Sequence, residues 1–321
     1  MPPALSTRRI STGGKSAKGW VAEWSIAHAW KACLPKGNGG SNPPPSATLM
    51  TTQIDALLRL LRDDDPATLN LLKGQLATRG VSALPEMRAL LAADDPVVAR
   101  HVRDVIAQIE SDEADASFGK FCASFGRDGD LEEAAWRLAA VFMPGEDFAS
   151  QRALLDAWGA EVARRLVGVE SELDRIETLV EFLGDDVGLR GNAEDYDNIN
   201  NSLLPEVIDT RLGIPITLSL VYIVVGRRAG IPVSGAGLPG HFLIRYGQNF
   251  FDPFHGGARV GLDECRARVA QHGLKLSAST LQPFPAPQFL ARMLNNIHTV
   301  AEESDPPLAA KVSRWIDLIV Q

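Results

Sequence analysis

The sequence predicts an α+β fold in which one buried helix packs on an antiparallel sheet and helical segments lie on either side. Three observations predict it. Residues 214–225 form the longest mostly apolar run, and from Ile216 onward it is apolar on every face, as suits a helix covered on all sides. After Gly230-Ile231-Pro232 the apolar period drops to two over residues 233–236, 241–246 and 250–254, which marks strands. On both sides of this block the apolar residues recur at three- and four-residue spacing, which marks amphipathic helices.

The bulk properties set limits. The 321 residues are 45% hydrophobic and 22% charged, enough to bury a sizeable core in one or two globular domains. The run at 214–225 is too short to cross a bilayer and is followed by Arg227-Arg228, so no membrane span is expected. Cys33, Cys122 and Cys265 form neither a CxxC pair nor an even set, which argues against a disulfide scaffold or a thiolate zinc site and fits a reducing cytoplasm. No cofactor and no metal are expected.

Residues 1–49 differ from the rest. They hold three of the six tryptophans and carry six basic residues against one acidic, without the apolar stretch of a signal peptide. The words "GWVAEWS" and "GGSNPPPSA" resemble a serine transfer-RNA gene read as protein, so this leader is expected to be spurious or disordered, with Met50 as the start. Without it the body bears −13, where the whole chain bears −8. A body this acidic disfavours nucleic acid as a partner, because phosphate contacts need clustered Lys and Arg.

Residues 50–112 read as a helical segment with a weak repeat, "LLRDDDPAT" at 60–68 returning as "LLAADDPVV" at 90–98. Each Asp-Pro step suits a helix start, with Asp as cap and Pro in the first turn. The pattern resembles a pair of HEAT-like helical repeats. The polar word "ESDEADAS" at 110–117 is the expected junction to a domain at 117–285. There, helices are expected over 131–142, 151–167 and 173–183, followed by a long polar loop at 184–200. A helix from about Ser202 to Leu212 should stop at Gly213, and the apolar helix should start at or near Pro215. Residues 286–321 form a C-terminal helical pair broken at Asp305-Pro306-Pro307.

The chemistry concentrates around His241 and Asp252. Gly247-Gln248 can form a two-residue hairpin turn, with Gly at the position of type II′ that requires positive φ. In that register Leu243 faces Asp252, so His241 and Asp252 become diagonal neighbours on one face. A carboxylate on one imidazole nitrogen fixes the tautomer and frees the other nitrogen, which is the supporting half of a nucleophilic triad. The same pair would serve equally as a hydrogen bond that fixes the hairpin. His241, Asp252 and His255 are also ligand types for zinc or iron, but in this register His255 should point to the opposite face. "GAGLPG" at 235–240 lacks the strand-turn-helix setting of a phosphate loop and reads as turns beside the central helix.

The stretch "NSLLPEVIDTRLGIPITLSLVYIVVGRRAGIPVSGAGLPGHFLIR", followed by "FFDPFHGG", resembles the SirB-type transglutaminase-like family, whose domain also occurs in a eukaryotic F-box protein. "FLARMLNNIHTVAEE" at 289–303 is similar to that family's C-terminal segment, which leads into TPR-like helices. The resemblance implies a papain-like fold for 117–285 and TPR-like helices for 286–321. In active members of the wider superfamily a cysteine opens the central helix, with histidine and aspartate on the next two strands. His241 and Asp252 match the last two, but the helix start reads Gly213-Ile214-Pro215-Ile216-Thr217. Neither a helix N-terminus nor a nearby His brings the hydroxyl of Thr217 or Ser219 usefully near ionisation.

The expected function is therefore a non-catalytic transglutaminase-like protein with a regulatory or protein-interaction role and an unidentified protein partner. The alternative is a hydrolase or acyltransferase that uses His241 and Asp252 without a cysteine, with Thr217 as nucleophile. If Met50 is the start, a digest of the native protein yields no peptide from residues 20–45; recovery of one by mass spectrometry contradicts that start.

Overall fold

The computed structural model describes residues 56–63, 65–92, 95–277 and 282–320. The leader at 1–49, with Cys33, and Met50 lie outside the described residues. The chain divides into two compact units between Asp112 and Glu113.

The first unit is helical: residues 56–61, α1 (Pro66–Thr78), a 3₁₀ turn at Gly80–Ala83, α2 (Leu84–Leu90) and the start of α3 (Pro96–Ser124). The two Asp-Pro steps do equivalent work. Asp65 accepts hydrogen bonds from the backbone N–H of Ala67 and Thr68, and Asp95 accepts from Val97 and Val98. Each carboxylate thus meets donors that the first helical turn leaves unpaired. Leu61, Leu72, Leu76, Met87, Val102 and Val105 are among the side chains of this unit's own core. The polar word at 110–117, read as a junction, is helical and lies inside α3.

In the second unit α4 (Leu131–Phe142), α5 (Ala149–Arg165) and α6 (Glu172–Glu181) precede a π-turn at Phe182–Asp186. Strand β1 (Arg190–Gly191) pairs in parallel with β2 (Leu212–Gly213), and between them lie a 3₁₀ turn (Ile199–Ser202) and α7 (Leu204–Thr210). The central helix α8 (Pro215–Arg228) buries every residue from Pro215 to Gly226 except Ile223. It packs against α5, against the sheet and against α10 (Ala286–Ser304). The sheet is an antiparallel meander, β3 (Ser234–Leu238), β4 (His241–Tyr246), β5 (Asn249–Asp252) and β6 (Ala258–Val260). Its period-two pattern separates two faces: Phe242, Ile244 and Phe251 join the main core with α8, while Leu243, Phe250 and Val260 join Cys265 and Val269 of α9 (Leu262–Gln271). Helix α11 (Pro306–Val320) follows α10 and packs on it, adding Val312, Trp315 and Ile319 to the main core.

Helix ends differ from the sequence reading by a residue or two, and at two boundaries the cause is plain. Helix α7 stops on Arg211, at φ 66°, and not on Gly213. Gly213 runs extended in β2, where a side chain would press on Val207 and Leu218, so its small size serves close approach and not a left-handed turn. Arg211 sits with its guanidinium 4.7 Å from the centre of the Trp158 ring. The third expected strand ends at Asp252, because Pro253 has no N–H for the ladder and a 3₁₀ turn takes over at Pro253–His255. The short fourth strand, β6, has no counterpart in the sequence reading.

The C-terminal end of α8 is tied to α4 by Glu132, which is 7% exposed. Its Oε1 accepts from Arg228 Nη2 at 2.8 Å and its Oε2 from Arg228 Nη1 at 2.9 Å, with Arg227 and Trp136 as further donors. Burial would raise its carboxyl pKa, but these donors outweigh burial and lower it. Because the Arg227 and Arg228 side chains keep 54% and 22% exposure and can rehydrate, Glu132→Ala is expected to cost about 2 kcal/mol, less than breaking a fully buried pair. Urea unfolding of the variant against wild type measures it.

Candidate functional site

Two-residue turns at both ends of β4 set the site. Leu238 pairs with His241 across Pro239-Gly240, with Gly240 at φ 69°, and Tyr246 pairs with Asn249 across Gly247-Gln248, with Gly247 at φ 59°. Gln248 is not at positive φ, which excludes type I′ and agrees with type II′. Ile244 pairs with Phe251, and Asp252 follows one step on, diagonal to His241. His241 Nε2 lies 2.7 Å from Asp252 Oδ2.

Asp252 is 1% exposed and holds more than His241. Its Oδ1 accepts from the N–H of Phe254 at 3.2 Å, closing the 3₁₀ turn that brings His255 Nδ1 to 2.9 Å from Oδ2. Arg268 Nη1, from α9, reaches the same oxygen at 3.1 Å. The expectation that His255 faces away is thus corrected: it assumed a strand running on through residue 254, and the turn after Asp252 folds His255 back. Gly257, at φ 84°, donates its N–H to Asp252 O at 2.8 Å, and a side chain there would collide with Val180. Burial alone would raise the Asp252 pKa, but the hydrogen bonds and charge of His241 and His255 hold it at about 2. With Asp252 ionised, His241 Nε2 and His255 Nδ1 carry the protons they donate, which leaves His241 Nδ1 available.

His241, Asp252 and His255 bring ligand atoms within 4.8 Å of one another, so they could hold a metal ion in kind. The separations of 2.7 and 2.9 Å are those of hydrogen bonds, shorter than the roughly 3.3 Å between ligands placed tetrahedrally around zinc. The Arg268 guanidinium also puts a positive charge on the shared oxygen. The arrangement as it stands is a hydrogen-bonded cluster.

On the other side of His241 lies a solvent-open cavity of about 140 Å³, with Pro215 and Ile216 of α8 and Arg292 and Asn296 of α10 in its wall. Thr217 and Ser219 are fully buried and do not line it. Thr217 Oγ1 has no hydrogen-bond partner, and Ser219 Oγ donates to Pro215 O at 2.7 Å. Cys122 and Cys265 are also fully buried, and burial pushes both thiols up, Cys122 to about 12. Among the described residues no thiol reaches the cavity. Sequence reasoning missed Arg268, Arg292, Tyr196 and Asn296. Of these, only Arg292 carried a signal, a charge between the core residues Phe289 and Met293 of an amphipathic helix.

A buried helix laid on an antiparallel meander, with a His–Asp pair beside the helix start, defines a transglutaminase-like core. The transglutaminase-like superfamily profile matches residues 149–295. The chain is 39% identical over 144 residues to a UPF0162 protein of Xylella fastidiosa, covering 42% of this chain and 48% of the relative. It is 30% identical over 188 residues to a UPF0162 protein of Pseudomonas aeruginosa, covering 56% of this chain and 68% of that one. The chain belongs to the UPF0162 family. It is also similar to F-box only protein 21 of Homo sapiens, 27% identical over 153 residues, covering 44% of this chain and 24% of that protein. The chain spans about half the length of the Xylella relatives it matches. No solved structure matches the chain.

Because the folded pKa of Asp252 lies below the ordinary 3.8, its charge stabilises the fold above about pH 4, and that contribution is lost as pH falls toward 2. At roughly 1.4 kcal/mol per pH unit it is worth about 2 kcal/mol. Asp252→Asn is expected to lose about that much at pH 7 and to show a shallower stability decline between pH 4 and 2, measured by urea unfolding across that range.

Proposed function

We propose that the chain is a non-catalytic transglutaminase-like protein that works by binding, in a regulatory or protein-interaction role. One observation carries the reading: where a nucleophile would open the central helix, the cavity wall is Pro215 and Ile216, which offer no nucleophilic side chain. The cavity and the His241–Asp252 pair persist beside it. The helical segments on either side, read as HEAT-like before the core and TPR-like after it, would present surface to a protein partner. The match to about a quarter of F-box only protein 21 supports a domain that serves as one part of larger proteins. The described cysteines are unpaired, which suits the cytoplasm.

A second reading has one observation in its favour. His241 is held by an ionised carboxylate with Nδ1 left over, the arrangement of a general base. Thr217 would be its nucleophile only if helix α8 opened, since its hydroxyl is sealed.

A panel of peptide, amide and ester substrates separates the two. Hydrolysis or acyl transfer by wild type is expected to equal that of His241→Ala, at background. Turnover lost in His241→Ala overturns the non-catalytic reading, and turnover that survives Thr217→Ala then assigns the attack to water.

A further inference from the structure

We propose that the cavity beside His241 is a binding site for a small carboxylate, with Arg292 as its charged partner. The inference deepens the reading above by naming the ligand class of the same cavity. It starts from the lining. The chain has 40 acidic residues, yet none of them lines this cavity.

Arg292 reaches the cavity from α10. Its Nη2 donates to Leu238 O at 2.9 Å and to His241 O at 2.8 Å, and its guanidinium lies 5.3 Å from the centre of the Phe242 ring. Those two bonds use two of the five N–H donors of a guanidinium. The donors on Nε and Nη1 have no acceptor among the described residues, and no described carboxylate pairs with Arg292. Burial pulls its pKa down while Tyr196 opposes the change, and a guanidinium stays charged even so. Among the described residues this cation has no counter-charge, and an anion in the cavity would supply one through the N–H donors left on Nε and Nη1, taken singly. Stapling the Leu238–His241 turn accounts for Nη2 alone.

The start of α8 adds to the same space. Its N-cap residue, Ile214, provides no side-chain cap, and Pro215 has no N–H. Leu218 N–H is taken by Ile214 O at 3.1 Å, so the N–H groups of Ile216 and Thr217 are the uncapped donors, with Ile216 in the cavity wall. The helix dipole favours negative charge there. Asn296 brings a side-chain amide that has no hydrogen-bond partner among the described residues, and Tyr196 a hydroxyl.

Size narrows the ligand. At about 140 Å³ the cavity is near the roughly 150 Å³ that accommodates benzene, so about six heavy atoms fit. A carboxylate with a short tail matches that space and can accept a charge-assisted hydrogen bond from a free N–H of Arg292. The carboxylate can belong to a free acid or to a peptide C-terminus.

The test is an NMR titration of the full chain at constant ionic strength with acetate and with its neutral isostere acetamide, following the backbone amides of Ile216 and Thr217. Acetate is expected to shift both signals saturably, with acetamide at least tenfold weaker. Arg292→Met should weaken acetate at least tenfold, a loss of about 1.4 kcal/mol. If that variant unfolds for want of its bonds to Leu238 and His241, the acetate and acetamide comparison in wild type decides. Acetylglycylglycine with a free or an amidated C-terminus then separates the two sources of the carboxylate, and either source supports the site. Equal response to acetate and acetamide, unchanged acetate binding by folded Arg292→Met, or tighter binding of inorganic phosphate than of acetate overturns the proposal. The substrate panel reports on catalysis alone, so a failure of either reading is recognised without the other.

Discussion

A carboxylate with 1% of its surface exposed must have its oxygens met by donors, and Asp252 meets that requirement with four groups: two from the turn that follows it, one from β4 and one from α9. Phe254 N–H takes Oδ1, while His241, His255 and Arg268 take Oδ2. Each donor fixes something different: the turn after β5, the start of β4, the return of His255 and the approach of α9. Loss of the charge would weaken all of them together. Asp252 is therefore the point where sheet register, turn geometry and site orientation become one constraint.

The central helix imposes the second constraint. Its residues are apolar and buried almost throughout, so it cannot shift along its axis without opening the core, and its N-terminus shares a cavity wall with His241. In a thiol enzyme the field at such a helix start would help to ionise the nucleophile. Here the first helical residue is a proline, and Cys122 and Cys265 lie sealed elsewhere with raised pKa values. The field is still present, and with no thiol among the described residues at the helix start it is directed at whatever enters the cavity.

Much of this was legible in the sequence because it depends on local rules. Period-two strands, the Gly247-Gln248 turn and the Pro215 start are set by nearest-neighbour conformational preferences, and together they put His241 diagonal to Asp252. What escaped depends on contacts between distant segments. Arg211 ends α7 in a left-handed conformation that glycine would normally take, with its side chain stacked on Trp158, 53 positions earlier by the numbering. The sequence pattern runs the strand on through Pro253 and so points His255 away, whereas the turn at Pro253–His255 folds it back. Arg268 and Arg292 reach the site from helices α9 and α10, and no local pattern gives the distance from a helix face to a strand end.

The charge balance sharpens what an anion site would mean in this chain. A chain with a net charge of −8 repels small anions at long range, so the surface field works against encounter and the cavity must rely on contacts inside a Debye length. Arg292 supplies such a contact: a cation set in a wall without carboxylates, anchored through Nη2 and ringed by Phe242. Against the general field a ligand that meets both Arg292 and the helix start is the one retained. The acidic surface and the donor-rich cavity then act in sequence, the first excluding anions broadly and the second retaining those whose shape places a planar negative group beside His241.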